Sequence, residues 1–219
     1  MKDFQKISGI AAIVHAAAYC VGIGLYATTL HPILDADPGQ YVAQLAAYKS
    51  PLYWWIFICY LVAGFCLVPV ALALHRRVSA GAPNLMLTST VLGCIWAGLI
   101  IGSGNLMLHD FGEVVKLYGI DPAQTETVWV ALMTVENGIV SGNELIGGIW
   151  ILLLSWAALR TDGLNKALNY LGLVIGVAGI VSIIPVFTEV AVMIFGLSMI
   201  VWFVWAGIVL LRHSSSPAI

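Results

Sequence analysis

The sequence predicts an all-α membrane protein with six transmembrane helices, the third and fourth forming a long hairpin. Three observations carry that expectation. Hydrophobic residues make up 61% of the 219-residue chain and charged residues only 9%, against roughly 25% charged in a water-soluble domain. The apolar residues come in long blocks, not in the three-in-seven stripe of an amphipathic surface helix. Six blocks, about 8–30, 52–75, 84–108, 128–159, 168–187 and 190–211, are near the roughly 20 residues that cross a hydrocarbon core. Together they form one polytopic domain over residues 1–219.

The first block follows "MKDFQK". Its apolar run is about twice a signal-peptide core of roughly 7–15 residues, and no A-x-A pattern closes it. Tyr19 before Cys20 stands where a lipoprotein cleavage site needs a small residue. The block is read as a retained helix. After it, "HPILDADPGQYVAQLAAYKS" has Asp37 as an N-cap and Pro38 at the first helical position. That segment predicts a short helix on the membrane surface, with Val42, Leu45 and Ala46 as its apolar face. The cluster Tyr53, Trp54 and Trp55 then marks the interface at the start of the second span.

The third span continues past His109 to Gly119, a helix stop, and Asp121 with Pro122 restarts a helix with Gln124 placed for a capping box. Each arm of the hairpin would be about 36 residues, or ~54 Å, against ~30 Å of hydrocarbon. Either the hairpin projects from the membrane or an arm breaks at a glycine. The fifth span follows the short loop "RTDGLNKALN" and ends near Pro185; the sixth ends before the polar tail "HSSSPAI".

Lys and Arg set the orientation. Lys2, Lys6, Arg76, Arg77, Arg160, Lys166 and Arg212 fall on one side, and only Lys49 and Lys116 on the other. Asp35, Asp37, Asp110, Glu113, Asp121 and Glu126 fall in the two long loops of the basic-poor side. Both termini are therefore expected in the cytoplasm. Cys20, Cys59, Cys66 and Cys94 all lie within spans with no C-x-x-C, which reads as buried small hydrophobes rather than redox chemistry. No basic–aromatic patch suggests nucleic acid. The expected partner is the lipid bilayer, and self-association is compatible with the composition.

The candidate site is "VENGIVSGNE". A tight hairpin places Asn105 level with Glu136, His109 with Leu132, and Gly102 with Ile139. Gly98, Gly102, Asn105 and His109 form one stripe; Asn137, Ser141, Glu144 and Gly148 form another, with Glu136 and Asn143 beside it. The pairs Gly98–Gly102 and Gly138–Gly142 predict a close contact between the arms. Glu144 lies 16 residues before Arg160, about 24 Å of helix. At that depth a carboxylate needs a partner, a proton or a water-filled cavity. Glu136 lies about 12 Å further out, near the water boundary. His15 and Tyr19 on the first span complete the expected ligand- or proton-binding set.

His31, His109 and Glu189 are the only metal candidates to weigh. They come from separate helices with no H-E-x-x-H or similar spacing, so no metal and no cofactor is predicted. The leading reading is an outward-facing polar pocket that binds or passes a small solute, ion or proton. The alternatives are a membrane enzyme using outer-face His and Glu residues, and a structural or partner-binding protein in which Glu144 packs against Asn105. An intramembrane serine protease is set aside: Gly138 to Gly142 is one residue too long for G-x-S-G, and the last two spans hold no histidine.

The segments "GGIWILLLSWAALRTDGLNKALNYLGLVIGVAGIVSIIP" and "KISGIAAIVH" add a likeness. With its basic helix end, short loop and "YLGLVIGVAGI", the chain resembles a family of six-helix bacterial membrane proteins known as a domain of unknown function. The resemblance implies six helices in a bacterial inner membrane. It implies no activity.

Overall fold

Alternating apolar blocks and short polar connections fold into six helical rods in the computed structural model, which describes residues 2–161 and 163–213, with side chains described except at 2, 140–142 and 213. We label them α1 (residues 2–34), α2 (38–78), α3 (Pro83–Tyr118), α4 (Pro122–Leu159), α5 (Lys166–Val181) and α6 (Thr188–His213). Each rod packs on its neighbours in the chain, and α6 returns to α1, so the six close into a ring. Short connections make such sequential antiparallel packing the default in bundles. Five of the six, α5 excepted, are long and apolar enough to cross a membrane. The molecule is a multi-pass membrane protein.

Several boundaries differ from the sequence expectation, each for a local reason. α1 runs on to Leu34 through a π-helical turn at Tyr26–Leu30. That widened turn sits just before Pro32, which cannot donate to the carbonyl four residues back. The expected surface helix is not separate. Asp37 caps it, its Oδ1 accepting the Gln40 N–H at 2.9 Å, and the helix runs straight through Pro51 into the second span. Tyr41, Val42, Leu45, Leu52 and Ile56 are buried along this stretch, in one cluster with Phe111, Val114 and Trp129 of the hairpin. Their burial outweighs the cost of an internal proline. A second π-helical turn follows at Phe57–Val62.

The hairpin arms hold 36 and 38 residues, and neither breaks. Asp121 caps the second arm, accepting the Gln124 N–H at 3.0 Å. Gly119 closes the first with φ −67°, so the stop does not use a left-handed residue. α5 is the short rod. Asn165 starts it, its side chain accepting the Ala167 N–H at 2.8 Å. It ends at Val181 rather than 187, because Ser182 turns back onto the Gly179 carbonyl at 2.8 Å and Thr188 Oγ1 donates to the Ser182 carbonyl at 2.8 Å.

The predicted glycine contact between the arms is corrected. A side-chain carbon at Gly98, Gly102 or Gly138 would meet nothing within 4 Å, and Gly142 has no described surroundings. The arms instead approach where an indole lies opposite a glycine: Trp150 fills the space at Gly93, and Trp96 the space at Gly147. These pairs lie within about one turn of the level that the hairpin count predicts. The level was legible, but the face was not. A close backbone approach joins α4 and α5, where Gly148 faces Gly176 and Gly179. Gly9 and Gly207 bring α1 and α6 together near the chain ends.

Candidate functional site

Among the described residues, two cavities towards the hairpin carry Glu144 and Glu136, one each; a third, of about 380 Å³, lies at the end of the chain termini beside Arg77, Asn165 and Arg212. The first, about 330 Å³, lies between α1, α2, α3, α4 and α6 and includes Glu144, Asn143, His15, Tyr19, Tyr60 and Trp96 in its wall. Phe195, Phe203, Met199 and Ile100 add apolar surface. The wall is mostly hydrophobic, with the polar groups in the minority. The second, about 390 Å³, lies towards the hairpin turn between α2, α3 and α4, and Glu136 is its carboxylate. Trp55 borders both.

His15 is held firmly at the first cavity. Its ring is buried, packed 4.0 Å from Phe203 and 5.2 Å from Tyr19. Nδ1 lies 2.8 Å from the Ala63 carbonyl. A carbonyl only accepts, so Nδ1 carries the proton, and a neutral ring leaves Nε2 as an acceptor. Nε2 is buried with no protein partner. Two further residues of the same wall share that condition: the Asn143 side-chain oxygen and the Trp96 indole N–H are also buried and unpaired. Buried polar groups are paired in the great majority of cases. Ser155, Asn169 and Trp202 also carry unpaired buried atoms; what sets the first cavity apart is that three such residues share one wall with Glu144.

The glycine crossing of α4 on α5 explains how Glu144 is positioned. Gly179 lies against the Glu144 backbone carbonyl and Gly148, so the helix carrying Glu144 has no freedom to shift sideways there. Helix α2 contributes Trp55, Cys59 and Tyr60 to the first cavity, spanning its π-helical turn. The Trp55 indole N–H donates to the Gly22 carbonyl at 3.1 Å, tying α2 to α1.

The predicted site residues divide. His15, Tyr19, Asn143 and Glu144 meet at the first cavity, while Glu136 and Asn137 border the second. Glu136 and Asn143, seven residues apart, are buried. Asn105, His109 and Asn137 are exposed, and among the described residues no hydrogen bond joins Asn105 to Glu144. The side chain of Ser141 lies outside the described residues. His31, His109 and Glu189 are all exposed, and among the described residues no three His, Cys, Asp or Glu groups converge to hold a metal ion. Glu136, expected near the water boundary and solvated, is only 6% exposed. Its burial corrects the expectation of a solvated carboxylate.

Sequence reasoning missed Trp55, Tyr60, Trp96 and Phe203. Trp55 reads as an interface residue beside Tyr53 and Trp54, which are exposed at 44% and 54%. The helical spacing of Trp55, Cys59 and Tyr60 was the available signal for an inward face.

A family model for a domain of unknown function (DUF4386) matches residues 7–212. The chain belongs to this family. The match spans all six helices and both cavities, so the whole bundle is the family's domain. No curated protein and no solved structure matches the chain.

Proposed function

We propose that the protein binds or passes a small solute at the first cavity, with Glu144 as its protonatable centre. One observation supports this reading: His15, Asn143 and Trp96, each with a buried unpaired polar atom, share the wall of one space with Glu144. Leaving each such atom unpaired costs roughly 1–3 kcal/mol. Two acceptors and a carboxylate suit a solute with hydroxyl or amine donors; the aromatic and aliphatic wall suits an apolar body. The cavity volume lies in the range of small-molecule sites. The distribution of Lys and Arg supports both termini in the cytoplasm, and the family resemblance supports a bacterial inner membrane.

Native mass spectrometry of protein extracted gently from its membrane tests the reading. A small molecule should co-purify with the wild type and be lost from Glu144→Gln and Asn143→Leu. Reconstituted vesicles holding a pH-sensitive dye test the proton role in parallel. An empty wild type, together with proton fluxes unchanged by Glu144→Gln, would overturn the proposal.

A further inference from the structure

The second cavity has a different chemistry, and the reading of the first does not account for it. Its wall includes Tyr41, Trp55, Phe111 and Trp129, four aromatic side chains from three helices, with Met107 and Met133 between them. Tyr41 and Trp129 stack at 4.5 Å with their planes 12° apart, which fixes both rings. Glu136 is set into this aromatic wall and is almost fully buried. No hydrogen bond or ion pair joins it to a described residue; the ion pair among those residues is Lys116–Glu113, on the surface. A carboxylate in a largely aromatic cavity wall, with no cation paired to it among the described residues, lacks a counter-charge.

The surroundings reinforce the sign. Asp110 lies within electrostatic range of Glu136, and the Glu126 carboxylate sits against Gly39 beside Pro38 of the cavity wall. The nearest stretch of chain is thus acidic, and like charges around a low-dielectric opening concentrate cations there. A bare metal ion does not suit the space. Calcium and magnesium need about six oxygen ligands, whereas this wall is mainly carbon with one carboxylate. Aromatic faces and one carboxylate are what an organic cation requires: rings for the charged, weakly hydrated head and Glu136 for its counter-ion.

We propose that the Glu136 cavity is a binding site for an organic cation, a quaternary or aryl-substituted ammonium that fits within about 390 Å³. The site is separate from the Glu144 cavity and does not rest on its function; Trp55 forms the partition between them.

Isothermal titration of the purified full chain in detergent with benzyltrimethylammonium tests this directly. Saturable binding with one cation per chain is expected. Glu136→Gln should weaken it roughly tenfold or more, the equivalent of one lost counter-ion contact. Trp129→Leu should weaken it by a similar factor. Asn137→Lys, at an exposed position on the rim of the same cavity, should also weaken it, and serves where Glu136→Gln yields no folded protein. Benzyl alcohol, which has the ring without the charge, should not compete. Glu113→Gln, on the exposed surface, should leave the affinity within about twofold. The proposal fails if binding is absent or unsaturable, or if Glu136→Gln and Asn137→Lys bind like the wild type. It fails equally if benzyl alcohol competes as well as the cation, or if Glu113→Gln weakens binding as much as Glu136→Gln does.

Discussion

The packed middle of the bundle and the end that carries the hairpin turn are built on opposite rules. In the packed middle the helices touch. Gly9 meets Gly207 across α1 and α6, Gly148 meets Gly176 and Gly179 across α4 and α5, and Trp150 and Trp202 interlock in the centre with Phe203, which also borders the first cavity. Towards the hairpin the rods stand apart around two cavities, and aromatic side chains line space instead of filling it. In a membrane, close packing rather than expulsion from water holds helices together. The packed middle therefore supplies the stability, and the hairpin end holds the space. Glu136 and Glu144 of α4 both border cavities.

Substitutions can break this contrast, and the expected effects fall in a clear order. Gly148→Leu should have the largest effect. Its new side chain would meet the backbone of Gly179 at 2.9 Å, which cannot yield without parting α4 from α5. Loss of monodisperse, folded protein on size-exclusion chromatography is expected. Trp150→Ala comes next, since the indole is fully buried against Trp96, Trp202 and Phe203. Emptying that volume should cost about 3–5 kcal/mol, read as a lower unfolding midpoint in detergent. A small shift there would show that the packed middle does not carry the stability.

Asp121→Ala acts at the hairpin end and should be milder. It removes the cap on Gln124 N–H, for a loss of about 1 kcal/mol. Hydrogen exchange should quicken around the hairpin turn and stay unchanged in α5 and α6. The smallest effect belongs to Gly98→Leu and Gly138→Leu. Both positions are open, so stability should stay within about 0.5 kcal/mol of the wild type. A collapse of either variant would show that this face is covered in the membrane and would sharpen the question of self-association.

The tests of Glu144 and Glu136 extend the same contrast to function. If each binds its own ligand independently, the hairpin end holds two sites separated by Trp55. If Glu136→Gln also removes the solute from the Glu144 cavity, the two spaces act as one path.

Much was legible in the sequence because it depends on local chemistry. Six apolar blocks gave six rods, Asp37 and Asp121 were readable as caps, and the hairpin count came within about one turn of the Gly93–Trp150 and Gly147–Trp96 pairs. These depend on hydrophobicity, rise per residue and a capping side chain, all of which act within a few residues. What the sequence could not show was direction around each helix axis. The stripe of Gly98, Gly102, Asn105 and His109 reads as an inner face by polarity, yet it points outward. The inner face of α3 is instead set by Ser89, Gly93, Trp96 and Gly104, because two indoles had to fit opposite two glycines. Likewise nothing local reveals that Glu136 would share a cavity wall with Tyr41 and Trp129, which are separated from it by long stretches of chain or by two turns of helix. Length, membrane class, helix number and caps came from the sequence. Which side chains meet was decided by the packing of large rings against small residues, a property of several helices together that no single stretch contains.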